Sequence, residues 1–195
     1  MKLARDFYEG DTLSVARGLI GCVLFRRTEE GVRAGRIVEA EAYLGPADDA
    51  AHSYRGYSRR VRVQYEGSGL AYIYMIYGLH WCFNITSGPA DAPEAILIRA
   101  LEPLEGLSLM AARRGTEDPK KLCSGPGKLC QALDIGMELY GEDLTVSDRL
   151  WLEPGDAPAS VAASKRVGVE YAVLCRDRPW RFYDPESRCV SVKMK

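Results

Sequence analysis

Between residues 32 and 44 apolar and polar positions alternate. Val38, Ala40, Ala42 and Leu44 fall on one side of an extended strand, and Ile37, Glu39, Glu41 and Tyr43 on the other. The first set is uniformly apolar and predicts a buried face. A preceding strand over 22–27, with a turn at Glu29-Glu30-Gly31, pairs with it as a hairpin. Ahead of both, Asp11 reads as the cap of a short helix with Leu13, Ala16, Leu19 and Ile20 as its stripe and Gly21 as its stop. Residues 45–69 are rich in Gly, Asp, Ser and Arg and predict a long loop. The segment AYIYMIYGLHWCFNIT from Ala71 reads as two aromatic-rich strands turning at Tyr77-Gly78, where Gly78 takes positive φ without cost. A strand over 95–101 follows, then a helix over 104–114 with Leu104, Leu107 and Ala111 facing inward. A second helix opens at Pro126 and buries Leu129, Ala132 and Leu133. Short strands are predicted over 151–153, 167–169, 181–183 and 190–192. The pattern predicts an α+β fold: one domain over 1–195, a curved, mostly antiparallel sheet flanked by helices, and a protruding aromatic β-hairpin.

Composition changes this picture little. The 195 residues are 47% hydrophobic and 27% charged, with a net charge of −1, ordinary for one globular domain. That balance argues against a strongly basic binder, but cations cluster locally: Arg55, Arg59, Arg60 and Arg62; Arg113, Arg114, Lys120 and Lys121; Lys165 and Arg166. The N-terminus lacks a signal-peptide apolar core, and the longest apolar run, 18–25, is too short to span a bilayer. An intracellular protein with reduced, buried thiols is expected. The six cysteines lack zinc-finger spacing and the histidines are only His52 and His80, so neither a metal site nor a cofactor is expected.

Three features carry candidate chemistry. Glu39 and Glu41 share a strand face with Tyr43; carboxylates so close raise at least one pKa, although a solvent-facing edge with two ordinary glutamates fits the same spacing. Arg99 sits between Ile98 and Ala100 in an apolar strand, where a guanidinium needs a partner such as Glu41. Downstream, His52 could contact a ligand or pair with Ser53, or be purely structural. Finally, Tyr77 places a large ring at a hairpin tip, where small polar residues are usual. It either folds back over its sheet or wedges into a base stack.

Five segments in order, RIVEAEAYLGPADDAAHS from Arg36, YIYMIYGLHWCFNIT from Tyr72, ILIRALEPLEG from Ile96, CSGPGKLCQAL from Cys123 and RVGV from Arg166, strongly resemble the alkyladenine DNA glycosylase family, also called methylpurine or 3-methyladenine DNA glycosylase. FYEGDTLSVARGLIGCVL near the start fits too, so the resemblance covers nearly the whole chain. It implies an enzyme acting on a base taken out of the duplex. Glu41 then matches the general base that activates a water, and Arg99 the arginine that helps hold that water. Tyr43, His52 and Tyr74 match residues around the flipped base, Asn84 the side chain that crowds guanine's exocyclic amino group, and Val167 a secondary pocket contact. Tyr77 matches the wedge, Tyr72 a supporting aromatic, and Lys128 a backbone contact; Arg59 and Arg60 in the arginine-rich loop are expected on the DNA backbone. The turn departs from the family at Leu79-His80, where other members carry Met and sometimes Tyr. No N-terminal extension precedes the motifs, so no partner-binding tail is expected.

The resemblance implies a monofunctional glycosylase that excises alkylated or deaminated purines from double-stranded DNA, working as a monomer in cytoplasm or nucleoid, or in a nucleus. A damaged-base binder without catalysis and a hydrolase of small nucleosides are the competing readings; Glu41 with Arg99 argues against the first, the wedge and arginine loop against the second. The family roles also fix a register: Tyr74 and Asn84 share a face only if the hairpin loop is odd, as with 77–79.

Overall fold

The computed structural model describes residues 1–89 and 91–193. Its centre is β2 (Gly31–Tyr43), a 13-residue strand with partners on both sides. On one side it pairs antiparallel with β5 (Glu94–Glu105). On the other, its first half pairs with β1 (Val23–Thr28) and its second half with the short β8 (Arg181–Tyr183). The sheet continues outward from β5 through β4 (His80–Ser87) to β3 (Ala71–Ile76), and from β1 to β6 (Leu150–Glu153). β7 (Ala162–Ser164) adds to β8. Among the described residues five α-helices accompany it: α1 (Arg5–Tyr8), α2 (Thr12–Gly18), α3 (Leu107–Arg114), α4 (Pro119–Leu122) and α5 (Pro126–Leu133). The result is the expected α+β class on an antiparallel sheet.

The two faces of the sheet have separate tasks. Ala40 and Ala42 of β2, Ile73 of β3, Phe83 and Ile85 of β4, and Ile96 and Ile98 of β5 point to one face and form the core with Leu129 and Leu133 of α5 and Val15 of α2. Asp11 caps α2 by accepting the Ser14 N–H at 2.9 Å. Alternation then sends Glu41, Tyr72, Asn84 and Leu97 to the opposite face. Register aligns them. Tyr72 is opposite Asn84, Asn84 opposite Leu97, Leu97 opposite Glu41, and Glu41 opposite Arg181, one transverse row across five strands. The β3–β4 pairing of Ile76 with His80 leaves residues 77–79 as the loop. This odd connection puts Tyr74 and Asn84 on one face, as the family roles require.

Several expectations need correcting. The alternation in β2 breaks at Val38, because the pairing with β5 shifts between Ile37 and Glu39. Ile37 therefore joins the main core, and Val38 packs on the other side with Ala100, Cys189 and Val190. The helix expected over 104–114 begins at Leu107, since β5 stays paired with β2 through Glu105 and Gly106, at φ 72°, makes the turn. Leu104 and Leu107 are exposed; Met110 is the buried contact of α3. Residues 167–169 and 190–192 are not strands, whereas α4 and β7 were not anticipated. The long segment 45–69 carries two 3-10 turns, Gly45–Ala47 and Arg59–Tyr65. All six cysteines are buried free thiols. No helix among the described residues is long and apolar enough to cross a membrane.

Candidate active site

The face away from the core is a cavity of about 700 Å³. Tyr72, Tyr74, Cys82, Asn84, Leu97 and Arg99 form its floor from β3, β4 and β5. Behind this lining lie the two carboxylates of β2, both fully buried: Glu41 is bonded to the lining residues Tyr43, Arg99 and Val167, and Glu39 to Arg99. They are not a solvent-facing edge, and their surroundings differ. Glu39 accepts from Arg99 Nε at 2.9 Å, Arg181 Nε at 2.7 Å, and the Ser191 backbone N–H and hydroxyl. Burial alone would raise its pKa; Arg99 and Arg181 outweigh that and hold it below the usual carboxylate value. Glu41 accepts from the Val167 N–H at 2.7 Å on Oε1, and from the Tyr43 hydroxyl at 3.0 Å and Arg99 Nη1 at 3.3 Å on Oε2. Here burial wins, and the pKa of Glu41 is pushed up despite those donors. The charge of Glu39 is a minor contributor, so one of the two pKa values is raised as the spacing suggests, but mainly through burial. Glu41's donors occupy three of a carboxylate's roughly four acceptor positions.

The aromatic side chains form the walls. Tyr43 lines the cavity and has its other side against the Arg166 guanidinium, 4.6 Å from the ring centre. His52 packs edge-on against Tyr74 at 4.5 Å, and its Nδ1 lies 2.7 Å from the Tyr72 hydroxyl. Burial, and after it the charge of Arg60, push the His52 pKa down to about 4, so the ring is neutral at physiological pH. The Tyr72 phenol is shifted upward by burial and stays protonated. The phenol and Nδ1 share this hydrogen bond, and its direction sets which ring nitrogen of His52 carries the proton. Tyr72 is thus the group that orients His52. Asn84 donates from Nδ2 to the Tyr72 carbonyl at 3.0 Å, which fixes its amide in the wall. Val167 lines the cavity beside its own contact with Glu41.

The remaining candidates lie around the mouth or outside it. Tyr77 borders the cavity, is 85% exposed, and adopts φ 55°, so the positive-φ stretch of this turn includes the tyrosine as well as Gly78. Arg60 is in the wall, its guanidinium 4.9 Å from the Tyr74 ring centre, while Arg59 is exposed on the same 3-10 turn. Lys128 is exposed on the first turn of α5, beside the wall residues Pro126 and Gly127. Ser53 is buried and donates to the Pro93 carbonyl at 2.7 Å, which removes any pairing with His52. Arg166 is buried against Asp48, so the Lys165-Arg166 pair is no basic surface. Arg113 pairs with Asp134 and Glu30, and Lys121 with Asp118. The acidic oxygens and thiol of Asp48, Asp49 and Cys175 lie close enough to hold a metal ion. Asp48 is engaged by Arg166, however, and Asp49 by the N–H groups of Val173, Leu174 and Cys175. Sequence reasoning missed Arg166, Asp48, Arg181 and Ser191. Only the demand of a buried arginine for a counter-charge could have pointed to them, and it does not name the partner.

Residues 6–188 match the profile of the methylpurine-DNA glycosylase (MPG) family. The chain belongs to this family. It is 51% identical to a protein of Methanoculleus marisnigri over 98% of this chain and 99% of the relative. A Desulfitobacterium hafniense protein is 45% identical, with 98% and 99% covered, and a Bacillus licheniformis protein 44% identical, with 97% and 96% covered. All three carry the name "Putative 3-methyladenine DNA glycosylase". This methylpurine-DNA glycosylase is therefore a DNA-repair enzyme, a hydrolase of N-glycosyl bonds that takes DNA as substrate.

The raised pKa of Glu41 has a consequence for stability. Relative to the unfolded chain, with a glutamate value of about 4.3, the fold favours the protonated acid. The folded state therefore binds more protons through the window above that value, and stability falls as pH rises through it. Glu41→Gln mimics the protonated form and leaves Arg99 paired with Glu39. It should have a higher urea midpoint than the parent at pH 7, with the gap closing as pH approaches 4. Equal midpoints at pH 7, or a gap that widens in acid, would exclude this account.

Proposed function

We propose that this chain extrudes alkylated or deaminated purine nucleotides from duplex DNA and hydrolyses the bond between base and deoxyribose, using no residue other than Glu41 as general base. The observation that carries the reading is Glu41 itself: a buried carboxylate with a raised pKa, held by three donors that all come from residues lining an aromatic cavity. Ionised Glu41 takes a proton from a water as its oxygen bonds to the anomeric carbon. The bond to the purine nitrogen breaks, and its electron pair leaves with the base. Positive charge developing on the sugar is stabilised by the same carboxylate, as in other glycoside hydrolyses. Arg99 bridges Glu39 and Glu41 and keeps the base oriented. Tyr43, His52 and Tyr74 supply stacking surfaces for the flipped purine, and Asn84 hinders an exocyclic amino group at its register position.

Among the described residues no lysine lines the cavity, which favours direct hydrolysis with an abasic product. No acid is assured for the leaving base. Purines that already carry positive charge, such as 3-methyladenine and 7-methylguanine, leave without one, while hypoxanthine needs a proton. Single-turnover excision from defined duplexes should therefore be faster for 7-methylguanine than for hypoxanthine; comparable rates would count against the charge argument. In the same assay Glu41→Gln should lose roughly 10²–10⁴-fold, the scale of a general base, and a variant within tenfold of the parent would remove Glu41 from that role.

Tyr77 is proposed as the wedge that fills the gap left by the extruded nucleotide. Extrusion costs a few kcal/mol from a paired stack and less from a single strand. Tyr77→Ala should slow excision from duplex more than from single-stranded DNA. Equal losses on both substrates would mean that the ring does not act by holding the duplex open.

A further inference from the structure

Arg166 is the least expected member of this region. It precedes Val167, is almost fully buried, and belongs to no helix or strand. Its Nη2 donates to Asp48 Oδ1 at 2.8 Å and its Nη1 to Asp48 Oδ2, a two-pronged pair with both side chains at 0% exposure. Nη1 also donates to the Ala42 carbonyl at 2.9 Å, pinning β2 at the residue between Glu41 and Tyr43. The flat guanidinium lies between two rings, 4.6 Å from that of Tyr43 and 5.0 Å from that of Trp180. It thus touches the strand that carries Glu41, the ring of the tyrosine that donates to Glu41, and, through the chain itself, the amide of Val167 that donates to Glu41.

We propose that Arg166, locked to Asp48, is a positioning residue that fixes two of the three hydrogen-bond donors holding Glu41. The third donor, Arg99, is set independently by Glu39 and Ser191. The geometry suits the task. A planar, two-pronged ion pair has one orientation, whereas a lysine would offer a rotating point charge. Rings stacked on a guanidinium are held by both packing and charge. Asp48 is itself anchored, accepting the backbone N–H groups of Leu44 and Ala50 at 3.2 and 3.0 Å, so the pair ties segment 166–167 to the loop that follows β2. Arg166 does not contact the cavity's contents; it acts through Tyr43 and Val167.

This inference rests on Glu41 being the general base, and the test separates the two. The groups that face Glu41 are Glu39 and Tyr43 on its own strand, Arg99 on β5, Arg181 on β8, and Arg166 and Tyr171 on the segment after β7. Of these only the donors placed by Arg166 should change in Arg166→Lys, which keeps the positive charge. With those donors loosened, the ionised form of Glu41 loses support and protonates more readily. The acidic limb of the single-turnover rate against pH, on duplex DNA carrying 7-methylguanine, should move up by about one pH unit, a tenfold change in acidity. At pH values above the limb the rate should return to within about tenfold of the parent. Asp48→Asn, which keeps the size of the partner and removes its charge, should move the limb in the same direction and carries the test if Arg166→Lys does not fold. A uniform loss of rate with the limb unmoved, or a lowered melting temperature with parental kinetics, overturns the proposal. Glu41→Gln is run alongside. If it retains activity, the general-base reading itself is lost; if it is inactive while both other variants keep the parental limb, only the role of Arg166 is lost.

Discussion

The protein depends on burying two carboxylates from one strand without leaving either uncompensated. Removing a carboxylate from water costs several kcal/mol even after relaxation, and only partners of good geometry offset it. Glu39 and Glu41 are met by Arg99 and Arg181, and Asp48 by Arg166, so three buried acids face three buried bases. The compensation is uneven. Glu39 has two cations and two further donors and is held firmly ionised. Glu41 shares one cation with Glu39 and is otherwise held by neutral donors, so burial prevails there. Unequal sharing of Arg99 turns two carboxylates two residues apart into a fixed counter-ion and a basic group.

Acids of this stretch, Asp49 among them, also organise the C-terminal chain. The Val167 N–H goes to Glu41, the Ser191 N–H to Glu39, and the N–H groups of Val173, Leu174 and Cys175 to Asp49. These backbone donors would otherwise need a strand ladder or water. Residues 167–169 and 190–192 have the apolar character of strands, but the amides of Val167 and Ser191 go to carboxylates rather than to a neighbouring strand. The C-terminal part of the molecule thus takes its path from side chains between residues 39 and 49, and the local pattern of its own sequence decides little.

This explains what the sequence could and could not reveal. Alternation in β2 predicted that Glu39, Glu41 and Tyr43 share a face, and period two in β3, β4 and β5 assembles the row from Tyr72 to Glu41. What alternation could not reveal is the bulge at Val38, because an extra residue obeys the pairing with β5 and leaves no mark in the polarity pattern. Proline and leucine at 103–104 read as the entrance to a helix, yet long-range pairing with β2 kept them extended. Exposure was the other blind spot. Lys165 and Arg166 look alike as a basic pair, but Arg166 is buried because its partner Asp48 lies 118 positions away in the chain. Counter-ions so far apart are a property of the fold, and a single sequence does not display them.

Tyr77 presents the opposite economy. A bulky non-glycine residue in the left-handed region carries a cost on the order of 1–3 kcal/mol, and Tyr77 sits there at φ 55° beside Gly78 at φ 68°. Strain of this kind usually persists because packing around the residue holds it. Here the ring is 85% exposed and the neighbouring Leu79 is 77% exposed, so the free protein recovers little of the cost through burial. The turn type is what demands it: positive φ at both 77 and 78, with the Leu79 N–H donating to the Ile76 carbonyl at 3.2 Å, is the type I′ geometry that matches hairpin twist. What the conformation also achieves is direction: it holds a flat ring outward at the rim of the cavity. On the proposed reading the ring is buried only when it enters the space beneath an extruded nucleotide. The surface left exposed in the free enzyme then becomes contact area with the DNA stack, and the strained turn is a cost carried by the unbound state for a geometry used in the bound one.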